Sequence, residues 1–151
     1  MARLRAFWRL PYKEKAIAFE AATVLVVVKI ALMILPFKRV ARRLSGVGAA
    51  PASSAARERH AARIGFLIGR SAAVLPFRCD CLPQAIAGKL MLRRRGIPSV
   101  LSIGVALDDR GFRAHAWLRC GSVIVTGAEG VEAFRVITDF SDGKIADHFF
   151  G

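Results

Sequence analysis

Acidic side chains are scarce in this 151-residue chain: 11 Asp and Glu stand against 24 Lys and Arg, a formal net charge of +13. The imbalance is local. Residues 1–95 carry 19 basic and 4 acidic side chains, and residues 96–151 carry 5 and 7. The first part therefore calls for an acidic partner: membrane lipid, nucleic acid, or an acidic protein or peptide. Tyrosine is nearly absent, with Tyr12 alone, and the basic clusters (Lys38, Arg39, Arg42, Arg43; Arg93, Arg94, Arg95) sit among aliphatic residues. Binding of single strands relies on aromatic platforms interleaved with positive charge, so no nucleic-acid partner is expected. Cysteine is limited to Cys79, Cys81 and Cys120. Three thiols cannot all pair, and no cleavable signal sequence is expected. The reading is free thiols in a reduced, cytoplasmic setting. No internal repeat occurs.

The length fits one domain, large enough to bury a substantial core. The hydrophobic share of 54% and mean hydropathy of +0.40 are high for a freely soluble protein. Much of this comes from residues 16–37, an apolar run whose only charges are Glu20 and Lys29. Its length matches a membrane span. The two charges lie about 180° apart on a helix, so neither face is clean, and a mid-span Lys29 is costly. A helix buried in the domain or lying on a membrane surface is favoured over a true span. A short basic helix over 38–44 and a linker-like stretch over 45–54 follow. The expected organisation is an apolar and basic helical segment over 1–50, packed on or docked to a core over 51–151.

Within that core, Ser53 or Ser54 caps a helix that ends before Pro76. Asp80-Cys81-Leu82-Pro83 reads as a second helix start, with Asp80 as cap and proline in the first turn, where its missing N–H is harmless. Gly96 stops that helix, and Arg93, Arg94 and Arg95 complement its dipole in the last turn, where they are also placed to hold a carboxylate or an acidic peptide. Past Pro98 the pattern turns to alternation. Strands are expected over 100–107, 112–120, 123–126 and 134–140, with turns at 108–111 and Gly121-Ser122. Helices followed by an antiparallel sheet make the fold class α+β.

Two residues stand out chemically. A helix N-terminus stabilises thiolate over thiol, which suits Cys81 to nucleophilic attack, although the neighbouring Asp80 carboxylate works against it. An inert buried cysteine is the competing reading. His115 lies mid-strand with Arg113 and Trp117 on its face and Ala114, Ala116 and Leu118 on the other, an arrangement suited to a groove floor; a structural histidine is the alternative. A Cys at a helix start facing a His on a strand is how papain-like and transglutaminase-like enzymes build a thiolate–imidazolium pair. Zinc fits poorly. Cys79 and Cys81 are one residue apart, awkward for two ligands on one ion, and Cys120 lacks a paired cysteine. No metal and no cofactor is expected. His60 falls on an Arg-rich helix face, and His148 in the tail over 142–151.

The string from Cys81-Leu-Pro-Gln-Ala to Arg93-Arg94-Arg95-Gly96-Ile97-Pro98, with Gly104-Val-Ala-Leu and Ala114-His115-Ala116-Trp117, closely resembles the lasso-peptide leader peptidases. These form the peptidase half of the lasso B protein, a microcin-processing, transglutaminase-like family. The resemblance runs from about residue 7 to 140. It implies a transglutaminase/papain-like core and a cysteine peptidase that cuts the leader from a ribosomally made precursor before macrolactam closure. It further implies Cys81, not Cys79, as nucleophile and His115 as base, with Trp117 and Gln84 as substrate contacts. Where the family places an orienting Asp, twelve residues after the His, this chain has Gly127. Thr126, Glu129 or a backbone carbonyl are the substitutes, and Thr126 is favoured. The implied partners are the precursor peptide, a separate leader-peptide recognition protein, since no winged-helix module is expected in this chain, and an asparagine-synthetase-like macrolactam cyclase. Contact with a membrane surface would explain the same basic, apolar N-terminal half. A transglutaminase-type acyl transferase and a non-catalytic, membrane-associated maturation scaffold are the alternatives.

Overall fold

A computed structural model describes residues 11–45 and 53–141. Four helices come first: α1 (Tyr12–Ile34), α2 (Phe37–Leu44), α3 (Ala55–Ala72) and α4 (Cys81–Arg94). The strands β1 (Val100–Asp108), β2 (Gly111–Cys120), β3 (Val123–Thr126) and β4 (Arg135–Ser141) then form one antiparallel sheet in the order β3-β2-β1-β4. The α+β class expected from sequence is what the chain adopts. The tail over 142–151, including His148, lies outside the described residues, as do residues 1–10 and 46–52.

Local signals set the helix ends. Ser54 caps α3 by accepting from Arg57 N at 3.3 Å. Leu35 turns extended ahead of Pro36, which disfavours helical geometry in the residue before it, and α1 stops there. At the end of α4, Gly96 takes a left-handed φ of +63°. The Gly96 amide then reaches the Arg93 carbonyl and the Ile97 amide the Leu92 carbonyl, both at 3.0 Å, which is the Schellman arrangement. Ile97 and Leu92 are buried in the same cluster and supply its hydrophobic contact.

α1, α3 and α4 pack together, and α3 and α4 lie on the sheet. Gly88 of α4 sits so near β2 that a Cβ there would be 2.7 Å from Leu118 Cδ2. Core residues come from both halves of the chain: Ala21, Leu25 and Val28 from α1, Ile64 and Ile68 from α3, Ile86 and Met91 from α4, Leu101 and Leu118 from the sheet. The fully buried Lys89 donates from Nζ to the Ser99 carbonyl at 2.8 Å, a hydrogen bond of the kind a buried amine requires.

The arginines at the end of α4 hold other parts of this chain. Arg95 grips Glu20 of α1 with both guanidinium nitrogens, at 2.6 and 3.1 Å, and Arg94 reaches the same carboxylate at 3.0 Å. Arg93 donates to the carbonyls of Arg43 and Leu44 and so closes the C-terminus of α2. The carboxylate expected at this cluster is thus the protein's own Glu20. Its pairing with Arg95, chiefly by hydrogen bonding and supported by the charge of Arg94, holds its carboxyl below the usual range against the opposing effect of burial.

A carboxylate whose native pKa is depressed contributes stability above its unfolded pKa, lost as the pH falls through the native value. Glu20→Gln is expected to lower unfolding free energy by about 1–3 kcal/mol near neutral pH, the usual cost of breaking a charge-assisted, partly buried hydrogen bond. The gap between variant and parent should narrow below about pH 4, where the parent's carboxyl also protonates. Urea denaturation across pH measures both; a gap independent of pH would show that the charge is not what stabilises the contact.

Candidate active site

Cys81 is the first residue of α4, partly buried against the core, with Leu82 and Pro83 completing the first turn. Asp80 occupies the cap position, yet its side chain makes no capping hydrogen bond. It faces Arg78 at 3.7 Å instead, an exposed pair of little energetic weight. The capping expected of Asp80 is therefore absent. The amides of Cys81 and Leu82 precede the first helical hydrogen bond of α4, and no cap side chain claims them. Cys79, two residues earlier, is buried, and burial pushes its thiol up in pKa, with Lys29 opposing and Asp80 adding to the rise. That is the profile of an inert thiol. Cys120 is also buried, with Sγ 3.3 Å from Ser53 Oγ.

His115 lies on β2 opposite Gly104 of β1. Its ring stacks on Trp117, with centroids 6.0 Å apart and planes at 26°, and meets Phe134 at 5.0 Å from the loop ahead of β4. Its Nε2 is 2.8 Å from the carbonyl oxygen of Gly127. A carbonyl only accepts, so Nε2 carries the proton, and in the neutral ring Nδ1 is the basic nitrogen. The imidazole is thus held by the main chain at Gly127, the backbone-carbonyl option among the three substitutes considered.

Thr126, the favoured substitute, is not the partner. A regular hairpin through Gly121-Ser122 would pair Thr126 with Trp117, on the face of His115. The β2–β3 register instead slips between Leu118 and Arg119, so Thr126 pairs with Leu118 and turns to the helix side. There Thr126 is 6% exposed, and its hydroxyl has no hydrogen-bond partner among the described residues. Glu129 is exposed and makes no hydrogen bond to the imidazole.

The expected substrate contacts also have other tasks. Trp117 is 7% exposed and lies over Gly104, where a Cβ would be 2.8 Å from its ring, so it is packing for His115 more than an open groove floor. Gln84 donates from Nε2 to the Cys79 carbonyl at 2.7 Å and ties down the segment that leads into Cys81. Phe134 carried no signal in sequence beyond marking the start of a strand.

Cys81 and His115 are thus set on one helix–sheet unit, with α4 packed on β2. Ala116, Leu118 and Cys120 point into the core shared with the helices, and His115 and Trp117 occupy the alternate positions along the strand. No hydrogen bond joins Cys81 to His115 among the described residues. The ring is fixed from its Nε2 end, and the thiol–imidazole contact is not closed. No group of three or more metal-binding side chains occurs among the described residues.

Gly127 has φ of +76°, and a Cβ there would fall 2.5 Å from the Ala116 carbonyl oxygen. Introducing an acid as Gly127→Asp is therefore expected to destabilise the fold by about 2 kcal/mol or more through left-handed strain and overlap. A denaturation midpoint equal to or above the parent's would show that the hairpin accommodates an acid there.

Comparison with curated proteins and with solved structures returned no match. A family model described as the transglutaminase-like superfamily matches residues 23–139, a span that holds the second half of α1, all of α2, α3 and α4, and both Cys81 and His115. The chain belongs to the transglutaminase-like superfamily.

Proposed function

We propose that the protein is a cysteine peptidase that removes the leader from a ribosomally made lasso-peptide precursor. The observation that carries this reading is the pair of fixed ends: Cys81 at an uncapped helix N-terminus, and His115 held through Nε2 so that Nδ1 is the free base. In the reaction, Cys81 Sγ gives its proton to Nδ1 and attacks the scissile carbonyl carbon. The Cys81 and Leu82 amides stabilise the oxyanion. The imidazolium then protonates the leaving amine, and water, deprotonated by the same nitrogen, hydrolyses the thioester and restores the thiol. The thiol and ring must meet for this. Catalytic hydrogen bonds in substrate-free sites are often long and tighten when substrate is bound.

The substrate class rests on the run of residues from Cys81 to Trp117 that resembles the lasso leader peptidases. A separate leader-recognition protein would deliver the precursor in the cytoplasm, and an asparagine-synthetase-like cyclase would take the trimmed product. Acyl transfer to an amine is the second reading, since the superfamily holds acyltransferases as well as cysteine peptidases and the same thioester serves both.

Incubation with a lasso-peptide precursor, with and without a leader-recognition protein, should yield fragments whose masses sum to precursor plus water. Addition of an amine in place of water would identify transfer. Cys81→Ala is expected to abolish turnover, by about 10³-fold or more given the loss of the nucleophile, and Cys79→Ala to retain it. Full activity of Cys81→Ala would end the proposal.

A further inference from the structure

α1 is apolar on two opposite sides. At about 100° per residue, its buried residues Ala18, Ala21, Leu25 and Val28 fall within an arc of about 80° against α3 and α4. Diametrically opposite, Tyr12, Phe19, Val27, Ile30, Met33 and Ile34 fall within an arc of about 120°, each at least half exposed. This outward stripe runs the length of a helix of about 34 Å. Among the described residues α1 is the one helix long and apolar enough to cross a membrane, judged by length and composition.

Its charges beyond the first turn do not spoil the stripe. Glu20 is folded back onto Arg94 and Arg95, and Lys29 lies toward Cys79. Past the first turn the polar residue in the stripe is Thr23, and its hydroxyl donates to the Phe19 carbonyl at 3.0 Å. A threonine that satisfies its hydroxyl on its own helix offers an outside partner only its methyl.

α2 continues from the end of the stripe with Arg39, Arg42 and Arg43 exposed and in no ion pair among the described residues. These arginines rim a groove of about 620 Å³ on the flank of α1 between its buried arc and its outward stripe, lined by Val27, Val28, Ala31, Leu35 and Ile86, with Val27 shared between groove and stripe. An apolar helix flank with a guanidinium cluster at one end matches a surface that is hydrocarbon within and anionic at its edge.

We propose that this face docks the protein on an anionic lipid bilayer, with α1 lying in the interface and Arg39, Arg42 and Arg43 on lipid phosphates. A protein partner fits less well: interfaces of that kind carry about one hydrogen bond per 100–200 Å², and the stripe offers no side-chain donor beyond its first turn. A span fits less well too, because it would place the Glu20–Arg95 pair in hydrocarbon and strip α1 from α3 and α4. The inference is independent of the cysteine chemistry.

Vesicle flotation of the full chain tests it, with neutral phosphatidylcholine vesicles compared with vesicles holding about a third phosphatidylserine. Binding to the anionic vesicles is expected, at least tenfold tighter than to the neutral ones and weakened by salt. The double variant Ile30→Asp/Met33→Asp, at exposed positions that leave the core intact, should lose binding while keeping the parent's circular dichroism and melting profile. Arg39→Gln/Arg42→Gln/Arg43→Gln should weaken anionic binding tenfold or more without changing residual binding to neutral vesicles. Absence of flotation with anionic vesicles, or flotation indifferent to both variants, would overturn the proposal. So would a saturable complex with a soluble protein that is lost in the Ile30→Asp/Met33→Asp variant while vesicle binding is retained.

Discussion

The structure hangs on the close seat of α4 against the sheet, where Gly88 meets Leu118 with no side chain between. That contact fixes the axis of α4, and both ends of the helix inherit their positions from it. Two turns toward the N-terminus stands Cys81. One to two turns toward the C-terminus stand the arginines that hold Glu20 and the last carbonyls of α2. α4 is thus a strut with the candidate nucleophile at one end and an arginine clamp at the other, and a bulkier residue at 88 would displace both together.

The elements whose signals are local could be read from the residues. Pro83 and Gly96 bracket α4 because a missing N–H and a positive φ act within one turn. Alternation set out β2, and Ala116 and Leu118 do enter the core while His115 does not. The parts that were not legible depend on partners far along the chain. Arg95 finds Glu20 seventy-five residues away, and nothing near either residue announces the other. β4 joins the sheet beside β1, where the strand run alone leaves its neighbour open. In the site, one extra residue in β3 was enough to turn Thr126 inward and bring the Gly127 carbonyl to the ring. A bulge of that kind leaves no mark in residue type, since Val125, Thr126 and Gly127 suit a regular strand end as well.

The charge excess looks different once partners are assigned. Several of the 19 basic residues of the first 95 are spent internally: Arg63 on Glu14, Arg94 and Arg95 on Glu20, Arg93 on backbone carbonyls, Lys89 on Ser99. Among the described residues, Arg39, Arg42 and Arg43 of α2 remain as an exposed cluster at the end of α1. Composition measured the excess; only the fold shows where it points.

The carbonyl that anchors His115 belongs to the main chain, and this sets the site apart from one oriented by an acid. A carboxylate titrates, can be swapped for an amide, and lends its negative charge to the imidazolium. The Gly127 oxygen has no proton to lose and no side chain to replace, and it supplies a dipole in place of a full charge. The imidazole's orientation is therefore a property of the path of the β2–β3 hairpin, inherited by whatever residue the backbone there can tolerate. In such a site the orienting group is encoded as geometry, and a search of the sequence for a third polar side chain passes over it.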